Sequence, residues 1–169
     1  MPPPTPQEIE DAYRRLFPVI QRKCARMLRN PTEAQDVAQE VFLRLWKSRL
    51  DLRDAGATTA WLYRSCTRLA IERLRERGRR GDGAPELLDA LASPGPGVDA
   101  RADDRRSLAA LAAAIPEDEL EAALLSRVDR LTHPEIGEVL GVSERTVRRL
   151  LTKLDERVAR VRATREAVA

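Results

Sequence analysis

One stretch constrains the chain more than any other: Thr132 to Lys153, THPEIGEVLGVSERTVRRLLTK. It reads as two short helices joined by a tight turn. Thr132 and Glu135 have the spacing of a capping box, in which each side chain closes free N–H groups at a helix start. Gly137 is out of place in a helix, where glycine costs about 1 kcal/mol against alanine; it is tolerable where a second helix presses close. Gly141 accepts the positive φ of the turn, and Ser143 caps the helix that follows. Ile136, Leu140, Val142, Val147, Leu150 and Leu151 fill the wedge between the two helices, which leaves Arg145, Arg148, Arg149, Thr152 and Lys153 on the outer face. This is the layout of a helix-turn-helix whose second helix enters a DNA major groove. A plain helical hairpin with a solvated basic face would use the same residue types. The DNA reading is preferred because small residue, turn glycine, cap and basic face coincide.

The rest of the chain is set by charge and glycine. Of 169 residues, 30 are Lys or Arg and 27 are Asp or Glu, so the net charge of +3 says little and its distribution says more. Arg64, Arg68, Arg73, Arg75, Arg77, Arg79 and Arg80 form one basic run; Arg145, Arg148, Arg149, Lys153, Arg157, Arg160, Arg162 and Arg165 form another. Two such runs far apart fit a polyanion contacted twice, although charge runs by themselves are usually solvated faces. Cys24 and Cys66 lie in apolar helical patterns and read as small core residues, not a disulfide or a metal site. With His133 the only histidine, no zinc spacing exists and no metal or cofactor is expected. No apolar run spans a bilayer and no signal-peptide core is present, so a cytoplasmic protein without membrane insertion is expected.

Hydrophobic spacing predicts helices throughout. Gln7–Arg29 is the first, with Pro18 as a candidate kink or break. Asn30-Pro31 marks a stop, and Thr32 is a candidate cap for a helix over Glu33–Ser48, with Val37, Ala38, Val41, Phe42, Leu45 and Trp46 inward. Its other side carries Asp36, Gln39, Glu40, Leu43, Arg44 and Lys47; a leucine amid those polar groups hints at a protein-binding surface. Leu50–Thr58 reads as a loop before a helix over Ala60–Arg77, with Leu62, Cys66, Leu69, Ala70 and Leu74 inward. Trp61, Arg64, Arg68, Glu72 and Arg75 share another stripe of that helix. An aromatic beside arginines can stack on unpaired bases, but packing is the more common role of such a tryptophan. Gly78 to Asp104 is rich in glycine, proline and aspartate and reads as a linker. Helix resumes near Arg105, stops before Pro116, and returns over Glu117–Val128. The last helix carries an apolar seam through Leu154, Val158 and Val161. The fold expected is all-α: two small helical bundles joined by a flexible linker. How the two sit against each other is left open.

Three segments then converge on a family. Asp36-Val-Ala-Gln-Glu-Val-Phe-Leu-Arg-Leu-Trp46, Ala60-Trp-Leu-Tyr-Arg64 with Ala70-Ile-Glu-Arg-Leu-Arg75, and His133 through Arg148 occur in this order across nearly the whole chain. In this combination the chain resembles the extracytoplasmic-function (ECF) sigma factors of bacterial RNA polymerase. The resemblance implies a region-2 domain over residues 7–80, a linker over 81–104 and a region-4 domain over 105–165. It implies that Asp36, Gln39, Glu40 and Arg44, together with Leu43, meet the polymerase β′ clamp helices, and that the β flap is a further contact. Trp61, Arg64, Arg68, Glu72 and Arg75, with the loop Leu50–Thr59 as a base pocket, would open and hold the −10 promoter element. Ser143, Arg145, Arg148, Arg149, Thr152 and Lys153 would read the −35 duplex. An anti-sigma factor is the other partner implied. The chain departs from the family pattern at Arg68, where asparagine is common, at Glu72, where aspartate is usual, and at Gly137, where alanine is more usual.

A stand-alone helix-turn-helix repressor with an N-terminal partner-binding bundle is the competing reading; it predicts a dimer on twofold half-sites. An enzyme is not expected, since the chain lacks a phosphate loop, a metal cluster and a nucleophile–base pair.

Overall fold

The computed structural model describes residues 4–81 and 114–167. All regular structure among them is helical: α1 (Pro6–Leu28), α2 (Pro31–Lys47), α3 (Ala55–Arg80), α4 (Glu117–Arg127), α5 (His133–Leu140) and α6 (Glu144–Glu166). The expected linker beyond Gly81 and the helix near Arg105 lie outside the described residues.

Local chemistry sets the helix ends. Thr5 opens α1 with a capping box: its N–H donates to Glu8 Oε2 at 2.9 Å and its hydroxyl accepts from the Glu8 N–H at 3.3 Å. Asn30, not Thr32, caps α2, accepting from the N–H groups of Thr32 and Glu33 at 3.1 Å each. Pro31 then sits at the first helical position, where its missing N–H costs nothing. Asp54 caps α3 by accepting from Ala57 N–H at 2.9 Å. That cap starts α3 five residues earlier than periodicity placed it. The stretch expected to be a base pocket, Leu50–Thr59, is therefore part loop and part first helical turn, and Leu52 and Thr58 point into the core. Pro18 does not break α1, which runs through it. It lies on the exposed side, where the carbonyl that loses its N–H partner stays open to solvent.

The helices α1, α2 and α3 form a bundle whose interior is filled by Ile20, Met27, Leu28, Val37, Val41, Leu45, Leu62, Leu69 and Leu74. Fully burying each such side chain contributes about 1.5–3 kcal/mol. Tyr13, Phe17 and Phe42 close one end, Tyr13 stacked on Phe17 at 4.4 Å and edge-on to Phe42 at 5.2 Å. Trp46, expected inward, is 53% exposed. It falls on the α2 stripe of Asp36, Gln39 and Leu43, at helical spacing, instead of on the face of Val41 and Leu45. The helices α4, α5 and α6 form the second bundle, in which Ala122, Leu125, Ile136, Leu140, Val147 and Leu150 make the helix-turn-helix core.

The bundles are not separate bodies. α3 touches both α4 and α5, and Ile115, Leu120, Leu124, Leu154 and Val158 join the apolar core of the first bundle. At the centre of this seam Lys23 of α1 pairs with Asp129, whose side chains are 0% and 1% exposed; Arg26 reaches the same carboxylate at 3.1 Å. A buried charge is tolerated only when paired and hydrogen-bonded, and in the docked arrangement each of these two charges has its partner.

Candidate nucleic-acid and protein interfaces

The second helix of the helix-turn-helix presents its basic residues outward. Ser143 caps it, accepting from Thr146 N–H at 3.2 Å. Val147, Leu150 and Leu154 face inward, and Arg145, Arg148, Arg149, Thr152 and Lys153 are all exposed. Arg148 is tied to Glu144 one turn back, an exposed pair worth about 0.3–0.5 kcal/mol. Gly141 makes the turn at φ +70, and its N–H bonds Gly137 O. A Cβ on Gly137 would lie 2.7 Å from Val142 O. The glycine therefore lets the turn backbone close onto α5 and sets the angle at which α6 stands out. Glu135 holds the start of α5, accepting from Thr132 N–H and hydroxyl at 2.7 Å each; those bonds hold its carboxyl below its ordinary range. This face can place guanidinium forks against base edges and phosphates.

The other basic run is largely spent inside the protein. Arg77 donates to Glu33 at 2.6 Å and to Leu28 O at 2.7 Å, and Arg73 meets Glu40 at 3.4 Å, tying α3 to α1 and α2. Arg157 of α6 likewise pairs with buried Glu119 at 2.9 Å. Counting cations along the sequence overstates the free basic surface in both runs.

The α3 stripe meets the second bundle. Arg68 pairs with buried Glu121 and lies 3.7 Å from Glu117; Arg75 donates to Ile115 O at 2.8 Å. Burial pushes the Glu121 carboxyl up, and the hydrogen bond from Arg68 pulls the other way. Trp61 packs half-buried against the core. Arg64 and Arg75 each keep a buried Nε without a hydrogen-bond partner. Such groups are costly, so this stripe of α3 is incompletely satisfied. Arg68, Glu72 and Arg75 line a cleft of ≈ 450 Å³ that also draws in Arg44 from α2 and Arg79. Trp61 and Arg64 do not line it.

The outer stripe of α2 is open. Asp36, Gln39 and Arg44 are exposed, Leu43 is 62% exposed, and Glu40 is half-buried, bonded to Arg44 at 2.6 Å. Trp46 belongs with them, which sequence reasoning missed by assigning it inward; its spacing from Gln39 and Leu43 was the available signal. Lys23 and Asp129 were also missed, since nothing local marks either. Among the described residues no cluster has metal-ligand character, and no helix is long and apolar enough to cross a membrane.

Residues 12–80 match Sigma-70 region 2, and residues 105–154 match Sigma-70, region 4. The chain is 33% identical over 133 residues to the ECF RNA polymerase sigma factor SigE of Mycolicibacterium smegmatis, covering 76% of this chain and 51% of that protein. It is 31% identical over 136 residues to the RNA polymerase sigma factor CarQ of Myxococcus xanthus, covering 79% and 77%. Among solved structures, it is similar to the sigma factor RpoE in complex with the anti-sigma factor NepR from Bartonella quintana, at 16% identity and a TM-score of 0.44, over 92% of this chain and 96% of that one. The chain spans about half the length of SigE. Region 2 and region 4 are both matched, in order, on one chain: it belongs to the ECF sigma factors of the sigma-70 family.

Proposed function

We propose that this chain binds RNA polymerase core enzyme and directs initiation at specific promoters. The observation that carries the reading is the exposed basic face of α6, capped by Ser143 and seated on α5 through Gly137 and Gly141. In this reading residues 7–80 are the region-2 domain, 81–104 the linker and 105–165 the region-4 domain. Arg145, Arg148, Arg149, Thr152 and Lys153, with Ser143, read the −35 duplex. Asp36, Gln39, Glu40, Leu43 and Arg44 dock on the polymerase clamp helices, with Trp46 added to them. Trp61, Arg64, Arg68, Glu72 and Arg75 hold the −10 element. The work is binding, without bond-making at this chain's own residues, and its place is the cytoplasm, beside the polymerase.

The seam adds a step. Arg68 and Arg75 are engaged by Glu121, Glu117 and Ile115 O, so α4 must leave α3 before a displaced strand can take their place. Unstacking a base costs a few kcal/mol, and freed arginines offset it through phosphate contacts. An anti-sigma partner would act by holding this seam shut.

Transcription in vitro with purified core enzyme tests the reading. Promoter-dependent transcripts that require the added chain are expected. Absence of such transcripts, with duplex binding by a dimer of the chain alone, would replace it with a repressor.

A further inference from the structure

At the centre of the first bundle lie two thiols that promoter recognition does not use. Cys24 of α1 and Cys66 of α3 are both 0% exposed and unbridged, with their Sγ atoms 2.9 Å apart. A disulfide requires an S–S distance of about 2.05 Å, so closure asks the sulfurs to approach by less than an ångström. The two residues come from different helices, 42 positions apart in sequence. No third cysteine exists to compete for either.

We propose that Cys24 and Cys66 form a reversible redox modification site, a dithiol that a hydroperoxide converts into an intramolecular disulfide tying α1 to α3. One thiol sulfur, as thiolate, attacks the terminal peroxide oxygen. The O–O bond breaks, the alcohol or water leaves with a proton, and a sulfenic acid remains. The second sulfur then attacks the first, the S–O bond breaks, and the hydroxyl departs as water with the second thiol proton. Two electrons pass from the thiols to the peroxide, and the balance is two thiols plus hydroperoxide to disulfide, alcohol and water.

The surroundings favour Cys66 as the attacking sulfur. The hydrogen bond from Cys24 lowers the Cys66 thiol, with the Lys23 ammonium acting in the same sense and burial against it; the same bond raises the Cys24 thiol. Either order of attack yields the same product. Full burial makes reaction depend on local opening of the bundle, which restricts oxidation to small reagents and slow rates.

The site lies under the seam. Lys23, bonded to Asp129, directly precedes Cys24, and its ammonium stands 5.0 Å from the ring of Tyr63, one turn before Cys66. Closing the disulfide shifts the α1 segment that carries Lys23 and Arg26, the two partners of Asp129, against α3. A chemical change in the core is thus transmitted to the docking of the second bundle.

The test uses the full chain, folded, treated with hydrogen peroxide, alkylated with N-ethylmaleimide and weighed intact. The expected product has lost two hydrogens, resists alkylation, regains both thiols on treatment with dithiothreitol, and exchanges amide hydrogens around Asp129 at an altered rate. Cys24→Ser and Cys66→Ser should each abolish the two-hydrogen loss, as should the alanine variants if serine unfolds the core. The proposal is overturned if the folded chain keeps both thiols under peroxide that oxidises the urea-unfolded chain. It is equally overturned if the products are over-oxidised thiols or intermolecular dimers.

Discussion

A methyl group on Gly137 would sit 2.7 Å from Val142 O, a backbone atom that can move only if the turn moves. Helix propensity favours alanine by about 1 kcal/mol, while overpacking costs about 1–3 kcal/mol. Gly137→Ala should therefore lower stability by about 1 kcal/mol and weaken −35 binding, read by urea denaturation and duplex titration; unchanged binding would mean the turn yields freely. Glu121 makes a separate statement about pH. Its carboxyl is raised by burial, with Arg68, Arg64 and Glu117 around it. A raised folded pKa means that the folded state binds the extra proton, so stability falls as pH rises from the ordinary carboxylate range through the raised value. Glu121→Gln should remove that slope, and a denaturation series across acid to neutral pH that keeps the slope would assign it to another group. On α6, Arg148→Ala and Arg149→Ala should each weaken −35 binding by about 1–3 kcal/mol per lost base contact. Core binding should stay intact, since both side chains lie on the outer face of α6.

At the scale of helices, α2 works with two faces. Val37, Val41 and Leu45 bind it to α1 and α3, while Asp36, Gln39, Leu43 and Trp46 face outward. An exposed leucine and tryptophan in register with polar groups is what a docking stripe requires, because buried aromatic anchors carry most of the energy of an interface. Leu43→Ala with Trp46→Ala should cost core polymerase about 2 kcal/mol or more of affinity and leave the melting temperature nearly unchanged. A fluorescence titration with core enzyme checks this, and equal affinity would remove α2 from the interface. α3 divides its arginines differently: Arg73 and Arg77 tie it to its own bundle, and Arg68 and Arg75 reach the other.

At the scale of the molecule, the buried pair of Lys23 with Asp129 joins the two bundles. Removing one member of a buried pair costs about 3–5 kcal/mol because the other charge is left uncompensated. Asp129→Ala should therefore part the bundles, raise the radius of gyration in X-ray scattering and increase binding of single-stranded −10 oligonucleotides by the free chain. Lys23→Met with Asp129→Leu replaces both charges by apolar groups and should keep the bundles docked. If the single and double variants scatter alike, this pair does not control docking.

The helices and the helix-turn-helix with its caps were readable because they depend on neighbours within a few positions, whereas the caps Thr5, Asn30 and Asp54 were not picked out and shifted the starts of α1, α2 and α3. Glu135 accepts from the Thr132 N–H and Ser143 accepts from the Thr146 N–H, each three residues away, and the apolar repeat of each helix points its own side inward. The basic face of α6 was readable for the same reason. The partners of Lys23 and Arg68 were not: they lie 106 and 53 positions away. Many surface carboxylates are chemically equivalent to Asp129 and Glu121 until the chain has folded. Sequence alone determined which helices form and which family they build. Only tertiary packing decided that the two bundles share a core, that Arg68 and Arg75 of α3 reach across to the second bundle, and that two thiols meet inside the first, because burial and pairing belong to positions in space and not to residue types.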